Sequence, residues 1–304
     1  MTKKLIFKIV LLVGTIISMF FIPWIFIKIW LTPLPETIPE QAAQALEYGF
    51  DGMIVYVDQG GKEAEVYTEG WNNREKKIPA DPRALFKIAS ISKLYEAVAV
   101  TMLVHEGRLS LDKTLAEYLP QYADRIENAN AITLRMMVQH RSGIPNYVDH
   151  PDYPWSSPYQ ERSETYELVL DQPSDFEPNT KYQYSNTNYL LIGDIMDQVL
   201  GYSHHRYIQQ RILMPLGLNH TYSLLSEVDL DDVMSGYFVG YEHDIKYNDF
   251  IQPGGSMVAT IEDVGVFLRA LNDGSLLNEE EQAISSSIYV YEHTGLLPGY
   301  QSIA

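Results

Sequence analysis

The longest uncharged stretch of the chain lies at its start, where Ile9 to Ile27 run for 19 residues without a charged side chain. As one helix this run measures about 28 Å, the thickness of a bilayer's hydrocarbon core, and it predicts a single straight membrane-spanning helix. Trp24 and Trp30 sit towards its far end, where aromatic rings favour the membrane interface. Pro33, Pro35 and Pro39 follow and predict a stiff, extended spacer. Beyond it the pattern changes. Gln41–Tyr48 reads as a short helix, and Met53–Val57 and Ala64–Thr68 read as a hairpin across Gln59-Gly60-Gly61-Lys62. Ser90–His105 carries apolar residues at helical spacing and is closed by Gly107. Thr133–Gln139 is helical with Thr133 as its cap. Asn146 to Asp175, rich in Pro, Tyr, Ser and acid, reads as an irregular excursion over the surface. Asn188–Leu200, His205–Ile212 and Asp263–Leu271 are helical, and Ser287–Tyr291 is β-rich. Strands, then many helices, then a strand predict an α/β or α+β layered core with a helical insertion. The implied organisation is an anchor over 1–32, a spacer over 33–44 and one domain over 45–304.

Charge sharpens the first element and narrows the partners. Residues 1–32 hold Lys3, Lys4, Lys8 and Lys28 and no acid. Three of these precede the apolar run, which places the N-terminus in the cytoplasm and the rest outside a cell membrane. A cleaved signal peptide is disfavoured, because Trp30-Leu31-Thr32-Pro33 offers no small-x-small site. The remainder keeps 18 of the 22 basic residues against 40 acidic ones, a net of −22. So acidic a domain does not bind nucleic acid through bulk electrostatics. With no cysteine, a thiol nucleophile and any cysteine metal site are excluded.

Three short signals carry chemistry. Ser90 and Lys93 stand one helical turn apart, at the point where the helical pattern begins. There a nascent alkoxide meets the positive end of the helix dipole, and a desolvated amine one turn on can take its proton. Tyr184 and Asn186, two apart on a polar stretch, offer a phenol for proton relay and a carboxamide for a substrate amide. His293-Thr294-Gly295 follows the last β-rich run. Such a strand edge suits an extended acyl substrate, Gly295 permits close approach, and the next N–H, that of Leu296, can pair with that of Ser90 as an oxyanion hole. Each signal alone is weak: taken singly, a capping serine, a packed polar loop and a strand-ending turn account for them better. His204-His205 has no acid spaced for zinc, and Asp229, Asp231 and Asp232 lack a calcium-loop pattern, so no metal and no cofactor is expected.

The ordered set says more than its members. S-x-x-K, then Y-x-N about ninety residues on, then [KH]-T-G, resembles the penicillin-recognising serine hydrolases. Phe86–Lys93, Gly107–Asp112, His140–Pro145, Tyr184–Leu191, Pro215–Leu218, Gly254–Thr260 and His293–Tyr300 extend the likeness. The chain from about Asp51 to Ala304 resembles the β-lactamase-related family of class C-like β-lactamases, D-alanyl-D-alanine carboxypeptidases and esterases, a penicillin-binding-protein-like group. The resemblance implies a β-lactamase/transpeptidase-like fold, an antiparallel sheet flanked by helices. It implies Ser90 as acylated nucleophile, Lys93 as its proton acceptor, Tyr184 as proton shuttle and Asn186 as substrate-orienting amide. His293, Thr294, Gly295 and Leu296 would bind substrate. His293 stands where many relatives carry lysine, and an imidazole holds a carboxylate less firmly. This tilts the reading from lactamase towards peptidase or esterase. His140 belongs to a loop that is structural in the family.

One departure weighs against activity. Only nine residues follow Gly295, whereas relatives continue for two strands and a C-terminal helix. Those strands lie between the [KH]-T-G strand and the N-terminal hairpin, and without them both would expose unpaired edges. Leu276 to His293 also leaves little room for the usual helix and strand. The expectation is a truncated or partial sequence that is weakly active or inactive. Two functions follow: an extracytoplasmic serine hydrolase of D-alanyl peptides or esters, acting on a small-molecule, peptidoglycan or teichoic-acid-type substrate; or a catalytically impaired remnant that binds a partner through Asn146–Pro173.

Overall fold

The structure, a computed structural model, describes residues 2–288 and 294–303. The N-terminal segment is broken. Helix α1 (Lys3–Met19) and helix α2 (Trp24–Leu31) meet at a bend of 73°. Among the described residues no single helix is long and apolar enough to cross a membrane, although the bent pair has the length and composition together. This corrects the expectation of one straight span. Its cause is Pro23, which precedes Trp24, has no N–H and clashes with a continuing helix. None of the residues of α1 and α2 is buried. The spacer is also shorter than expected. Helix α3 (Ile38–Glu47) starts inside it, with Pro39 in the first turn and a reciprocal cap between Thr37 and Glu40.

Strands β1 (Gly52–Val57) and β2 (Glu65–Asn73) form the expected hairpin, and β2 bends past Trp71 to pair with β3 (Ile78–Pro79). Strand β4 (Phe86–Lys87) leads into α4 (Ser92–His105), which is buried from Ser92 to Leu103 on every side. Short helices α5 (Leu115–Tyr118), α6 (Leu134–Val138) and α7 (Arg162–Tyr166) follow, then α8 (Asn186–Leu200), α9 (His204–Ile208) and α10 (Met214–Leu216). Strands β5 (Thr221–Tyr222) and β6 (Val258–Ala259) join β4 in the order β4-β6-β5. Helices α11 (Ile261–Asn272) and α12 (Glu279–Ile288) complete the layer around α4, where Tyr95 stacks on Phe267 at 3.7 Å. Helix α4 therefore has core on all sides, which a one-sided apolar stripe does not announce.

Three expectations change here. The stretch from Asn146 to Asp175 is not a surface excursion: Tyr147, Tyr153, Tyr166 and Leu168–Leu170 are buried in the main core. Ser287 and Ile288 end α12 instead of starting a strand, so Leu276–Ile288 does hold a helix; the rest of that β-rich run, with His293, lies outside the described residues. The chain also supplies a strand after Gly295. Strands β7 (Thr294–Leu297) and β8 (Tyr300–Ile303) pair antiparallel across Pro298-Gly299. Tyr300 anchors this hairpin: its hydroxyl donates to the Met234 carbonyl at 2.6 Å and its ring meets Phe86 edge-on at 5.0 Å. Among the described residues no ladder joins β8 to β1, and a cleft of about 350 Å³ separates them.

Candidate active site

Ser90 sits in a single 3₁₀ turn, Ala89–Ile91, directly ahead of α4. Ala89 has φ +49°, a left-handed conformation that an L side chain adopts at a cost, and this sharp turn lifts Ser90 towards solvent while Ala89 and Ile91 stay buried. Lys93, in the first turn of α4, is 1% exposed. Its Nζ lies 3.1 Å from Ser90 Oγ, 2.8 Å from Asn186 Oδ1 and 2.6 Å from the Gly254 carbonyl oxygen. The last two are pure acceptors. A neutral amine satisfies both with its two N–H groups and leaves its lone pair for Ser90; after taking the proton it has a third N–H to return.

Tyr184 approaches from the other side, its hydroxyl 2.8 Å from Ser90 Oγ and 3.4 Å from Asn186 Oδ1. The His140 ring, at φ +54° and buried, stacks on the Tyr184 ring at 4.4 Å, and its Nδ1 accepts the Ser185 N–H at 3.2 Å. His140 is thus the platform that aims Tyr184. Asn186 opens α8 and is fixed from behind by Asn146, whose Oδ1 accepts both the Asn186 backbone N–H at 2.9 Å and its Nδ2 at 3.2 Å.

Strand β7 closes the site. A Cβ on Gly295 would overlap the Ile88 carbonyl oxygen and Ser302 Oγ, so only glycine lets the strand lie this close to the Ser90 turn. Ser302 Oγ ties the hairpin to the same place, donating to the Ile88 carbonyl at 3.0 Å. The two-residue turn makes Leu297 and Tyr300 the bonded pair next to it, so the Leu296 N–H points away from β8. Thr294 and Leu296 line the cleft with Ser90, Tyr184 and Asn186.

That cleft measures about 450 Å³. Its far wall is aromatic: Tyr147, Tyr153, Trp155 and Phe250. Burial pushes the Tyr147 and Tyr153 phenols above their ordinary value, so both stay neutral. No charged side chain lines the cleft among the described residues.

Ser90, Lys93, Tyr184 and Asn186, predicted from spacing, thus meet at one point, and Thr294, Gly295 and Leu296 stand beside them. Sequence reading missed the Gly254 carbonyl, Asn146 and the aromatic wall. Backbone acceptors have no residue signature, and Asn146 and the Tyr-rich stretch were visible only as loop composition. Seeking acids only at zinc spacing, it also left unnamed Asp197, which accepts from His204 Nδ1 at 2.6 Å across the turn between α8 and α9. Among the described residues no group of three or more His, Asp or Glu is placed to hold a metal.

The beta-lactamase family profile matches residues 36–299. An Escherichia coli (strain K12) protein provisionally named a D-alanyl-D-alanine carboxypeptidase is 31% identical over 178 residues, covering 56% of this chain and 41% of that protein. Penicillin-binding protein 4* of Bacillus subtilis (strain 168) is 25% identical, covering 73% of this chain and 47% of its own length. The chain spans under half the length of these curated relatives. Among solved structures, D-amino acid amidase from Ochrobactrum anthropi, complexed with L-phenylalanine, superposes with a TM-score of 0.70 at 26% identity, over 79% of this chain and 69% of that one. A penicillin-binding protein from Bacillus halodurans shares the fold, with a TM-score of 0.70 at 20% identity over 88% and 91% of the two chains.

Proposed function

This chain belongs to the beta-lactamase family, and on that premise we propose that it is a serine hydrolase that cleaves D-aminoacyl amides, peptides or esters through a covalent Ser90 ester. The observation that carries this reading is the placement of Ser90 Oγ between the Lys93 amine and the Tyr184 hydroxyl, at the floor of an open cleft. In the reaction Ser90 Oγ attacks the acyl carbonyl carbon and its proton passes to Lys93 Nζ. The carbonyl oxygen becomes an oxyanion and receives the backbone N–H groups of Ser90 and Leu296. Tyr184 gives its proton to the departing amine or alkoxide and recovers one from Lys93. Water then repeats the sequence on the ester and frees Ser90. Asn186 and the outer edge of β7 align the acyl chain.

The cleft's composition narrows the substrate. With an aromatic wall and no charge along the described lining, it favours an apolar or aromatic acyl side chain over a carboxylate. This is a reason to place the protein nearer the amidases and esterases than the β-lactamases. The amidase neighbour, solved with phenylalanine, supports the same preference.

The N-terminal pair supports a reading of the location. Its apolar residues are exposed, Lys3, Lys4 and Lys8 carry the charge on one end, and the acidic domain follows α3. We infer an anchor that holds the domain on the outer side of a bacterial membrane. Treatment with a fluorophosphonate or a fluorescent penicillin tests the catalytic reading: the folded protein should be labelled once and Ser90→Ala not at all. A folded protein that resists both reagents would leave only a binding role. Flotation of the full chain with lipid vesicles, compared with a chain lacking residues 1–32, tests the anchor.

A further inference from the structure

Glu96 is the one acid on α4 between Ser92 and Leu103, and it is 2% exposed. It lies one turn beyond Lys93 on the same helix. Its Oε1 accepts the Gly254 N–H at 2.5 Å, while the Gly254 carbonyl oxygen accepts from Lys93 Nζ at 2.6 Å. A single residue of the β5–β6 connection is therefore gripped at both ends by one helix. Gly254 has φ +74°, and a Cβ there would meet Tyr189 Cβ at 2.8 Å and Lys93 Cγ at 3.0 Å, so only glycine lets this backbone pack against α4 and α8. Among the described residues Glu96 Oε2 has no hydrogen-bond partner, so Oε1 makes the one bond that ties this carboxyl to the Gly254 peptide. Lys93 on its own helix, Arg162 from α7, His204 from α9 and Tyr147 are the charged and titratable groups that act on it. Burial raises the carboxyl above its ordinary range; His204, the Gly254 N–H, Lys93 and Arg162 oppose that rise.

We propose that Glu96 is a positioning residue of the acylation machinery: by fixing the Gly254 peptide, it aims the carbonyl that holds the Lys93 amine on Ser90 Oγ. The proposal rests on the serine-hydrolase reading above. Glu96 touches neither substrate nor nucleophile and acts through two hydrogen bonds. Without it the Gly254 peptide is free to rotate, and Lys93 keeps only Asn186 as a fixed acceptor.

The test is saturation labelling of the full chain by a fluorophosphonate, which separates the maximal labelling rate from the half-saturating concentration. Glu96→Met removes the acceptor at nearly constant volume. Glu96→Asp keeps the charge but withdraws the acceptor by one methylene. Both should lose about tenfold to a hundredfold in maximal rate, with half-saturation and melting temperature close to wild type. Glu96→Gln keeps an oxygen in place and should label within about threefold of wild type. A folded Met or Asp variant that labels at the wild-type rate overturns the proposal, as does a Gln variant as slow as Met. Should the Met variant not fold, the Asp and Gln pair carries the same comparison. Failure of the wild-type protein to label, or labelling that survives Ser90→Ala, overturns the hydrolase reading instead.

Discussion

At the scale of single residues, the site is a convergence of an amine and a phenol on one hydroxyl. Ser90 Oγ has Lys93 Nζ at 3.1 Å and Tyr184 at 2.8 Å. Tyr184→Phe keeps the ring on His140 but removes the proton relay, so it should slow Ser90 labelling by about a hundredfold or more with little change in melting temperature. Rapid-mixing measurement of the labelling rate checks this, and an unaffected rate would assign the relay to Lys93 alone. Gly254→Ala places a methyl against Lys93 Cγ and Tyr189 Cβ and imposes a left-handed alanine. It should reduce both labelling and stability, the latter by about 1–3 kcal/mol, measurable by denaturant titration. Ser90, Lys93, Tyr184 and Asn186 were legible as residue types at set spacings. The Gly254 carbonyl was not, because every residue has one and only its direction matters.

At the scale of elements, the β7–β8 hairpin is the part on which expectation and structure differ most. Its sequence suggested an orphan strand whose neighbours are missing. In the fold it is held by Tyr300 on Met234 and Phe86 and by Ser302 on Ile88, all close to the Ser90 turn. Gly295→Ala is therefore expected to push β7 off that turn. Its Cβ meets a backbone carbonyl, which cannot rotate aside as a side chain would. The variant should lose labelling by tenfold or more while the helical core melts normally; near-wild-type labelling would show that β7 does not shape the site. The helices were legible in outline, since α6, α8 and α11 carry caps and periodic apolar residues. The wrong assignments fell on Asn146–Asp175, where loop composition hid a segment whose tyrosines enter the core, and on Ser287–Ile288, where β-rich composition yielded to a helix.

At the scale of the whole molecule, the buried groups around α8 and α9 give the fold an acid limit. Burial, aided by His204 and Arg162, lowers the His205 imidazole from 6.5 to about 3. The unfolded chain thus takes up a proton below pH 6.5 that the folded one refuses, and stability falls from pH 6.5 towards 3. Burial would raise Asp197, yet its hydrogen bond to His204 and the charges of His204 and Arg162 hold it down to about 2. Its stabilising effect is full above 3.8 and is lost between there and 2. In His205→Gln the melting temperature should decline less steeply between pH 6.5 and 4 than in wild type; parallel slopes would show that this imidazole is not kept neutral by the fold. The sequence by itself determined the family, the order of the chemical residues, the apolar N-terminal segment and the broad α/β composition, because these reside in residue type and local spacing. Only the tertiary structure decided that Pro23 splits the N-terminal segment, that an aromatic wall faces Ser90, and that a peptide some 160 residues from Lys93 aims its amine. Those outcomes depend on how distant backbone segments are oriented when they pack, and no local pattern encodes that orientation.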